Sequence, residues 1–333
     1  MLERGTVMKS FWIRTENGHT LLEQRGTSVP EPGRGEVLLR MRSGGLNRGE
    51  FIAGHGLHAA GAARPSGIEG AGEVEEIGPG VANLKKGDRV MGRCRGAFAD
   101  FALMDAREAI PVPQALSWDE AAAVPLAFMT VHDMLIAQGH LQSGEWLLVT
   151  GASSGIGVAS LQVAKAIGAG VIGTSGSQEK LARLKSLGLD LGIRTRGPDF
   201  ADAVMRSTGG KGVDLVVNNV GGSVFAECIR VLAFEGRFAT VGYVDGVMTS
   251  DIDIDALHSK RLTLFGVSNK LRSVEQRAQT VRGFVADLLP FIAEGRIRPV
   301  IDRVFRFSEL PAAKDYMESN AHLGKIVVRT DAG

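Results

Sequence analysis

The sequence predicts an α/β protein of two domains, in which a doubly wound parallel sheet of six strands is inserted into a chain whose two ends together build a β-rich domain. Three observations carry this. Strand-like and helix-like segments alternate through the middle of the chain, whereas short strands at close intervals fill its first part and return in its last. Leu147, Leu148 and Val149 form an apolar run suited to a buried parallel strand, and the glycine-punctuated Gly151-Ala-Ser-Ser-Gly-Ile-Gly157 follows at once. From Val158 the spacing becomes helical, with Val158, Leu161, Ala164 and Ile167 on one side and Gly168 as the stop signal.

Composition excludes several classes. The 333 residues suffice for two separate cores. A formal net charge of +1 without a basic stripe offers no electrostatic case for nucleic acid. No stretch approaches about 18 uninterrupted apolar residues and the N-terminus lacks a basic-then-apolar signal pattern, so no membrane segment is expected. The two cysteines, Cys94 and Cys228, are too few for a metal cage and far apart, which suits a reduced, cytoplasmic setting.

Taken in order, residues 7–13 and 20–24 read as strands joined by a turn at Glu16-Asn-Gly-His19. Residues 36–42 alternate as a half-buried strand ended by Gly44 and Gly45, and 54–66 form a glycine- and alanine-rich loop. More strands follow at 73–77, near 85–91 and at 98–104. A helix over 118–127 starts at Ser117 as N-cap with Glu120 at the capping-box position, and helix continues over 130–138 to Gly139. Strands at 147–150, 171–174, 190–193, 213–218, 236–241 and 262–266 then interleave with helices at 157–167, 178–187, 199–207 and 223–232. From 271 come a long helix, a strand over 300–307, a helix from Glu309 and a final strand over 325–329.

Strand, tight turn and helix at 147–167 form a dinucleotide-binding fingerprint. Gly151 permits the turn, Gly155 lets backbone approach a ligand and Gly157 lets the helix pack closely, so Ser153, Ser154, Gly155 and Ile156 are candidate pyrophosphate contacts. About 20 residues beyond the first glycine an NAD site usually carries Asp or Glu for the ribose 2′-hydroxyl. Here stand Thr174, Ser175 and Gly176, so nothing repels a 2′-phosphate, and Lys180, with Arg183 and Arg194 as secondary candidates, can neutralise one. NADPH is the expected cofactor. Lys180 and Arg183 also fit the solvated face of the helix after Ser177.

Two families share this fingerprint. Thr150-Gly-Ala-Ser-Ser-Gly-Ile-Gly157 with Asn218-Asn-Val-Gly221 resembles the short-chain dehydrogenases, but their Tyr-x-x-x-Lys pair is absent: Tyr243 and Tyr316 are followed four places later by Val247 and Asn320. Over nearly its whole length the chain resembles the medium-chain dehydrogenase/reductase superfamily, in its zinc-free quinone oxidoreductase (zeta-crystallin-like) branch. The resemblance rests on Gly45-Leu-Asn-Arg-Gly-Glu50, Gly67-Ile-Glu-Gly-Ala-Gly-Glu-Val74, Lys86-Gly-Asp-Arg-Val90, Ala122-Ala-Val-Pro-Leu-Ala-Phe-Met-Thr130, Gly212-Val-Asp-Leu-Val-Val217, Val220-Gly-Gly222, Gly236-Arg-Phe-Ala-Thr-Val-Gly242 and Gly324-Lys-Ile-Val-Val328. It implies a GroES-like catalytic domain over 1–125 and 268–333, with a Rossmann domain inserted at 126–267. It also implies a homodimer, paired through the edge strand at 262–266.

Zinc members carry Gly-His-Glu where this chain has Gly67-Ile68-Glu69, and Cys94 alone stands where four cysteines hold their structural zinc. His55 and His58 lack a third ligand, so no metal is expected. Hydride transfer without a Lewis acid needs an acceptor that delocalises charge itself, such as a quinone or another conjugated carbonyl compound. By resemblance Asn47 lines the substrate cleft near the nicotinamide, where it is otherwise a turn residue, and Thr130 lies near the nicotinamide ribose. His58 replaces a family tyrosine, either as donor and proton source or as a loop residue without a role. Thr195 stands where an NADPH-preferring member often has tyrosine, and Asn218 where many relatives carry Asp. Val220, Val241, Gly242, Tyr243, Val267 and Ser268 supply the surroundings of the ribose and carboxamide, with Tyr243 alternatively a packing residue. The chain therefore reads as an NADPH-dependent oxidoreductase of quinones or enones; the alternatives are an enoyl-thioester reductase and a non-catalytic NADPH-binding protein.

Overall fold

The computed structural model describes residues 5–16, 19–51 and 62–331. The chain divides into two compact units. One comprises residues 1–126, 270–285 and 299–333; the other comprises 127–269 and 286–298.

The second unit is built on a parallel sheet of six strands. In sheet order these are Leu191–Arg194, Gly170–Ser175, Trp146–Thr150, Val213–Asn218, Leu232–Thr240 and Thr263–Gly266. The order reverses direction on either side of Trp146–Thr150, which is the doubly wound arrangement that opens a crevice at the carboxyl ends of the central strands. Register aligns Ile172, Leu148, Val216, Phe238 and Leu264 in one row across the sheet. Four of the five are fully buried, against Val204 of helix Ala201–Ser207 and Cys228 and Ile229 of helix Phe225–Arg230. Burying each large side chain contributes about 1.5–3 kcal/mol, so this row fixes the strand ends that form the site.

The first unit centres on strand Glu36–Gly45, which pairs antiparallel with Glu69–Ile77, Phe101–Asp105 and Lys325–Arg329 in a seven-stranded sheet. Lys325–Arg329 also pairs in parallel with Ile301–Arg306, the crossover being helix Leu310–Glu318. Strands Val7–Glu16 and His19–Ser28 form a hairpin with Glu16 opposite His19. Phe11, Phe51, Phe98 and Phe307 close its core, with the rings of Phe11 and Phe307 centred 5.0 Å apart.

Three local departures from the sequence expectation have identifiable causes. The helix expected over 118–127 is split into Trp118–Ala122 and Pro125–Val131, because Pro125 has no N–H to continue the ladder and disfavours helix at the residue before it. Its start is as expected: Ser117 accepts from the Glu120 N–H, and the Glu120 carboxylate accepts from the Ser117 N–H at 2.9 Å. Residues 132–137 wind as a π-helix rather than an α-helix. The fifth strand begins at Leu232, where a register shift against Val213 and Leu215 and a left-handed Glu235 (φ 58°) interrupt the periodicity.

Candidate active site

The turn after Trp146–Thr150 runs through Gly151, whose φ of +61° is a left-handed value that other residues rarely adopt. Helix Gly155–Ile167 follows, and Ser154 caps it by accepting from the Gly157 N–H at 3.0 Å. A Cβ on Gly157 would lie 2.5 Å from the Ala152 carbonyl oxygen, so the helix start and the turn fit only around glycine. Because the first N–H groups of a helix have no acceptor within it, those of Gly155 and Ile156 remain for an anion beside Ser153 and Ser154. This cradle fits the pyrophosphate of a nicotinamide dinucleotide.

The neighbouring strand Gly170–Ser175 ends without a carboxylate. Thr174 is buried and its hydroxyl accepts from the Gly151 N–H at 3.2 Å, so it anchors the fingerprint turn. The Ser175 hydroxyl accepts from the Ser177 N–H at 3.3 Å, and Ser177 in turn caps helix Gln178–Ser186, which carries Lys180 in its first turn. Arg194 is the direct strand partner of Ser175 and is exposed. The structure adds Arg196, absent from the sequence-derived set. Its Nε would lie 2.7 Å from a Cβ on Gly176, so the guanidinium packs against the bare backbone of that glycine. The signal was available in principle: Arg194 and Arg196 alternate as the chain leaves the strand.

The fourth strand ends in a tight polar knot. The Thr150 hydroxyl donates to Asn218 Oδ1 at 2.9 Å and accepts from the Asn219 N–H at 3.0 Å. Asn218 Oδ1 also accepts from the N–H groups of Val220 (3.0 Å) and Gly221 (3.2 Å), while its Nδ2 donates to the Gly221 carbonyl at 2.9 Å. The Asn218 backbone carbonyl takes the N–H groups of Val241 (3.1 Å) and Gly242 (3.3 Å). One residue thus positions the loop at Val220 and the one at Val241, Gly242 and Tyr243. The Val267 N–H bonds to Thr240, and Ser268 beyond it is exposed. Asp245 underpins the first of these loops: its carboxylate accepts from Ser223 N and Oγ and from Val247 N. Burial acts to raise its pKa, but those donors outweigh it and hold the carboxyl below its ordinary range.

In the first unit Asn47 sits in a buried charge network. Its Nδ2 donates to Glu69 Oε1 at 2.7 Å and makes a longer contact with the Gly45 carbonyl at 3.4 Å. Its Oδ1 accepts from the Lys325 ammonium at 2.9 Å. Lys325 spends its other two protons on Glu69 Oε1 (2.5 Å) and the Leu46 carbonyl (2.8 Å), and Glu69 Oε2 accepts from the Leu126 N–H at 2.7 Å. Glu69 and Lys325 are both buried. Three residues after Asn47, Glu50 is also fully buried; its Oε1 accepts from the Gly67 N–H at 2.6 Å, and burial raises its pKa to about 7. Thr130 is half-buried near the end of helix Pro125–Val131. His55 and His58 lie outside the described residues. Among the described residues no group of three His, Cys, Asp or Glu side chains is placed to hold a metal ion, and Ile68 stands where zinc members carry histidine.

Comparison with known proteins agrees with this arrangement. The alcohol dehydrogenase GroES-like domain matches residues 33–114, and a domain described as zinc-binding dehydrogenase matches residues 155–283. The human synaptic vesicle membrane protein VAT-1 homolog is 30% identical over 92% of this chain and 82% of its own length. The highly reducing polyketide synthase ALT1 of Alternaria alternata is 31% identical over 90% of this chain, which spans only 11% of that protein. Among solved structures, a mycobacterial protein in complex with NADPH aligns with a TM-score of 0.86 at 26% identity, covering 97% of this chain and 99% of that one. CurK enoyl reductase aligns with a TM-score of 0.84 at 27% identity, with the same coverage. Two domain models matched in chain order, and relatives aligned from end to end on the same two-part fold, make this chain an oxidoreductase of the medium-chain dehydrogenase/reductase superfamily.

Proposed function

We propose that this protein is an NADPH-dependent reductase of quinones and other conjugated carbonyl compounds that works without zinc. The observation carrying the cofactor assignment is the end of strand Gly170–Ser175, which bears no carboxylate of its own and has Arg194 as strand partner and Arg196 against Gly176, with Lys180 in the first turn of the helix that follows. The mycobacterial relative solved with NADPH supports it. When bound, NADPH supplies the hydride. Ser153, Ser154, Gly155 and Ile156 hold its pyrophosphate, and Val220, Val241, Gly242, Tyr243, Val267 and Ser268 surround the ribose and nicotinamide.

The chain's own contribution to the reduction is orientation and hydrogen bonding. Asn47 is the proposed donor to the carbonyl oxygen of the substrate: its long contact with Gly45 is weak enough for a better acceptor to replace it. Thr130 donates beside the nicotinamide ribose, and His58 is the proposed proton source for the reduced product. A substrate that spreads the arriving charge over its own conjugated system needs no Lewis acid, which suits a site with Ile68 in the histidine position. Two copies pair through the edge strand Thr263–Gly266, and the free thiols of Cys94 and Cys228 suit a reducing compartment.

An enoyl-thioester reductase is the second reading, favoured by the likeness to CurK enoyl reductase and to polyketide synthases. NADPH consumption measured separately with menadione, a simple enone and crotonyl-CoA decides between them. Faster turnover of menadione or the enone supports the first reading, and preference for crotonyl-CoA supports the second. NADPH binding with no turnover of any acceptor would leave only a binding protein.

A further inference from the structure

Resting on the reading of Asn47 as a substrate donor, we infer that the buried pair Glu69–Lys325 is a positioning device that sets the orientation of the Asn47 amide. Lys325 is 256 residues from Glu69 in sequence, yet its Nζ lies 2.5 Å from Glu69 Oε1. The two side chains grip opposite ends of one amide: the ammonium holds Oδ1 at 2.9 Å and the carboxylate holds Nδ2 at 2.7 Å. An ammonium has no acceptor and a carboxylate no donor, so rotating the amide by half a turn would set Nδ2 against the cation and Oδ1 against the anion. The pair therefore enforces a single orientation.

Several features show that this is more than an incidental ion pair. All three Lys325 protons have acceptors, at Glu69, Asn47 and the Leu46 carbonyl, so the ammonium cannot swing without leaving a buried charge unsatisfied. Glu69 is anchored independently by the Leu126 N–H, in the first turn of helix Pro125–Val131, which bears Thr130. The backbone has closed around the carboxylate as well, since a Cβ on Gly45 would lie 2.6 Å from Glu69 Oε1. Replacing a buried ion pair by apolar groups is often neutral for stability, so stability alone does not account for its presence here. One amide proton of Asn47 goes to Glu69, and the other, held loosely at 3.4 Å from the Gly45 carbonyl, is the one left to a substrate oxygen. Neither Glu69 nor Lys325 need touch the substrate; they act through Asn47.

The test uses the charge-neutral double variant Glu69→Gln/Lys325→Met, which leaves no lone buried charge, together with Asn47→Ala and the triple variant, all assayed with NADPH and menadione. The double variant is expected to lower kcat about tenfold or more, as a misplaced donor does, with the KM for NADPH within about twofold of wild type. The triple variant should be no slower than Asn47→Ala, because a device acting through Asn47 has nothing to act on once the amide is gone. Losses that multiply in the triple variant would show a merely structural role, and a double variant with wild-type kcat would overturn the inference while leaving Asn47 as donor. Wild-type kcat in Asn47→Ala would instead remove the reading on which it rests, and the inference with it. Orientation is also read without turnover, by NMR of the Asn47 side-chain amide, assigned by its loss in Asn47→Ala. Its protons should exchange slowly in the native protein and fast in the double variant; equal exchange would overturn the inference.

Discussion

Thr150 Oγ1 donates to Asn218 Oδ1 at 2.9 Å, tying together the carboxyl ends of two neighbouring parallel strands that lie 68 residues apart in sequence. The bond is one of four that Asn218 makes through its side chain, three as acceptor and one as donor to the Gly221 carbonyl. An aspartate reproduces the acceptors but not the donor. Asn218→Asp should therefore lower stability by about 1–3 kcal/mol, since a buried carbonyl loses its partner and faces a negative charge. The denaturant midpoint checks this, and an unshifted midpoint would show that the Gly221 carbonyl does not need the amide.

Arg196 packs against Gly176 at the end of the strand where a 2′-phosphate is expected. Arg196→Ala should weaken NADPH binding by about tenfold or more, the loss of a charge-assisted hydrogen bond being on the order of 1.5–3 kcal/mol, and leave NADH within about twofold. Titration of both coenzymes by calorimetry tests it. Parallel measurement of Lys180→Ala and Arg194→Ala ranks the three cations, and equal losses for NADPH and NADH would place the phosphate elsewhere.

Glu50 links stability to pH. Burial holds its pKa at about 7 in the fold against 4.5 ordinarily, so between these values the folded protein keeps a proton that the unfolded chain releases. Its contribution is fully present below pH 4.5 and is lost as the pH rises through about 7, a difference of about 3 kcal/mol. Glu50→Gln keeps the acceptor for the Gly67 N–H and removes the ionisation. Urea denaturation should find the variant more stable than wild type at pH 8 and equal to it at pH 4, whereas parallel curves for the two proteins would contradict the assignment.

Metal removal provides a fourth test. Prolonged dialysis against a strong chelator should leave NADPH-dependent turnover of menadione unchanged, because the described residues offer no cluster of three metal-ligating side chains. Activity lost on dialysis and restored by zinc would overturn the zinc-free reading.

The six parallel strands and the Ser117 end of a helix follow from patterns a few residues long, and these were legible. Alternation, glycine placement and capping residues act through neighbours in sequence. The π-helix at 132–137 and the early start of strand Leu232–Thr240 were not, since both depend on what the backbone packs against rather than on local preference. Asn47 was visible as a candidate from its motif, but the sequence contains no sign that its amide is already held at both ends.

From its sequence alone, then, this chain declares an inserted nucleotide-binding sheet, a glycine turn running into a helix N-terminus, and a ribose strand without a carboxylate. Tertiary structure alone decided that Lys325 meets Glu69 and Asn47, that Asn218 ties two loops to Thr150, and that Arg196 lies against Gly176. The reason is physical: local propensity fixes which elements form, whereas the meeting of side chains tens to hundreds of residues apart is set by sheet register and packing, which exist only once the whole unit has closed.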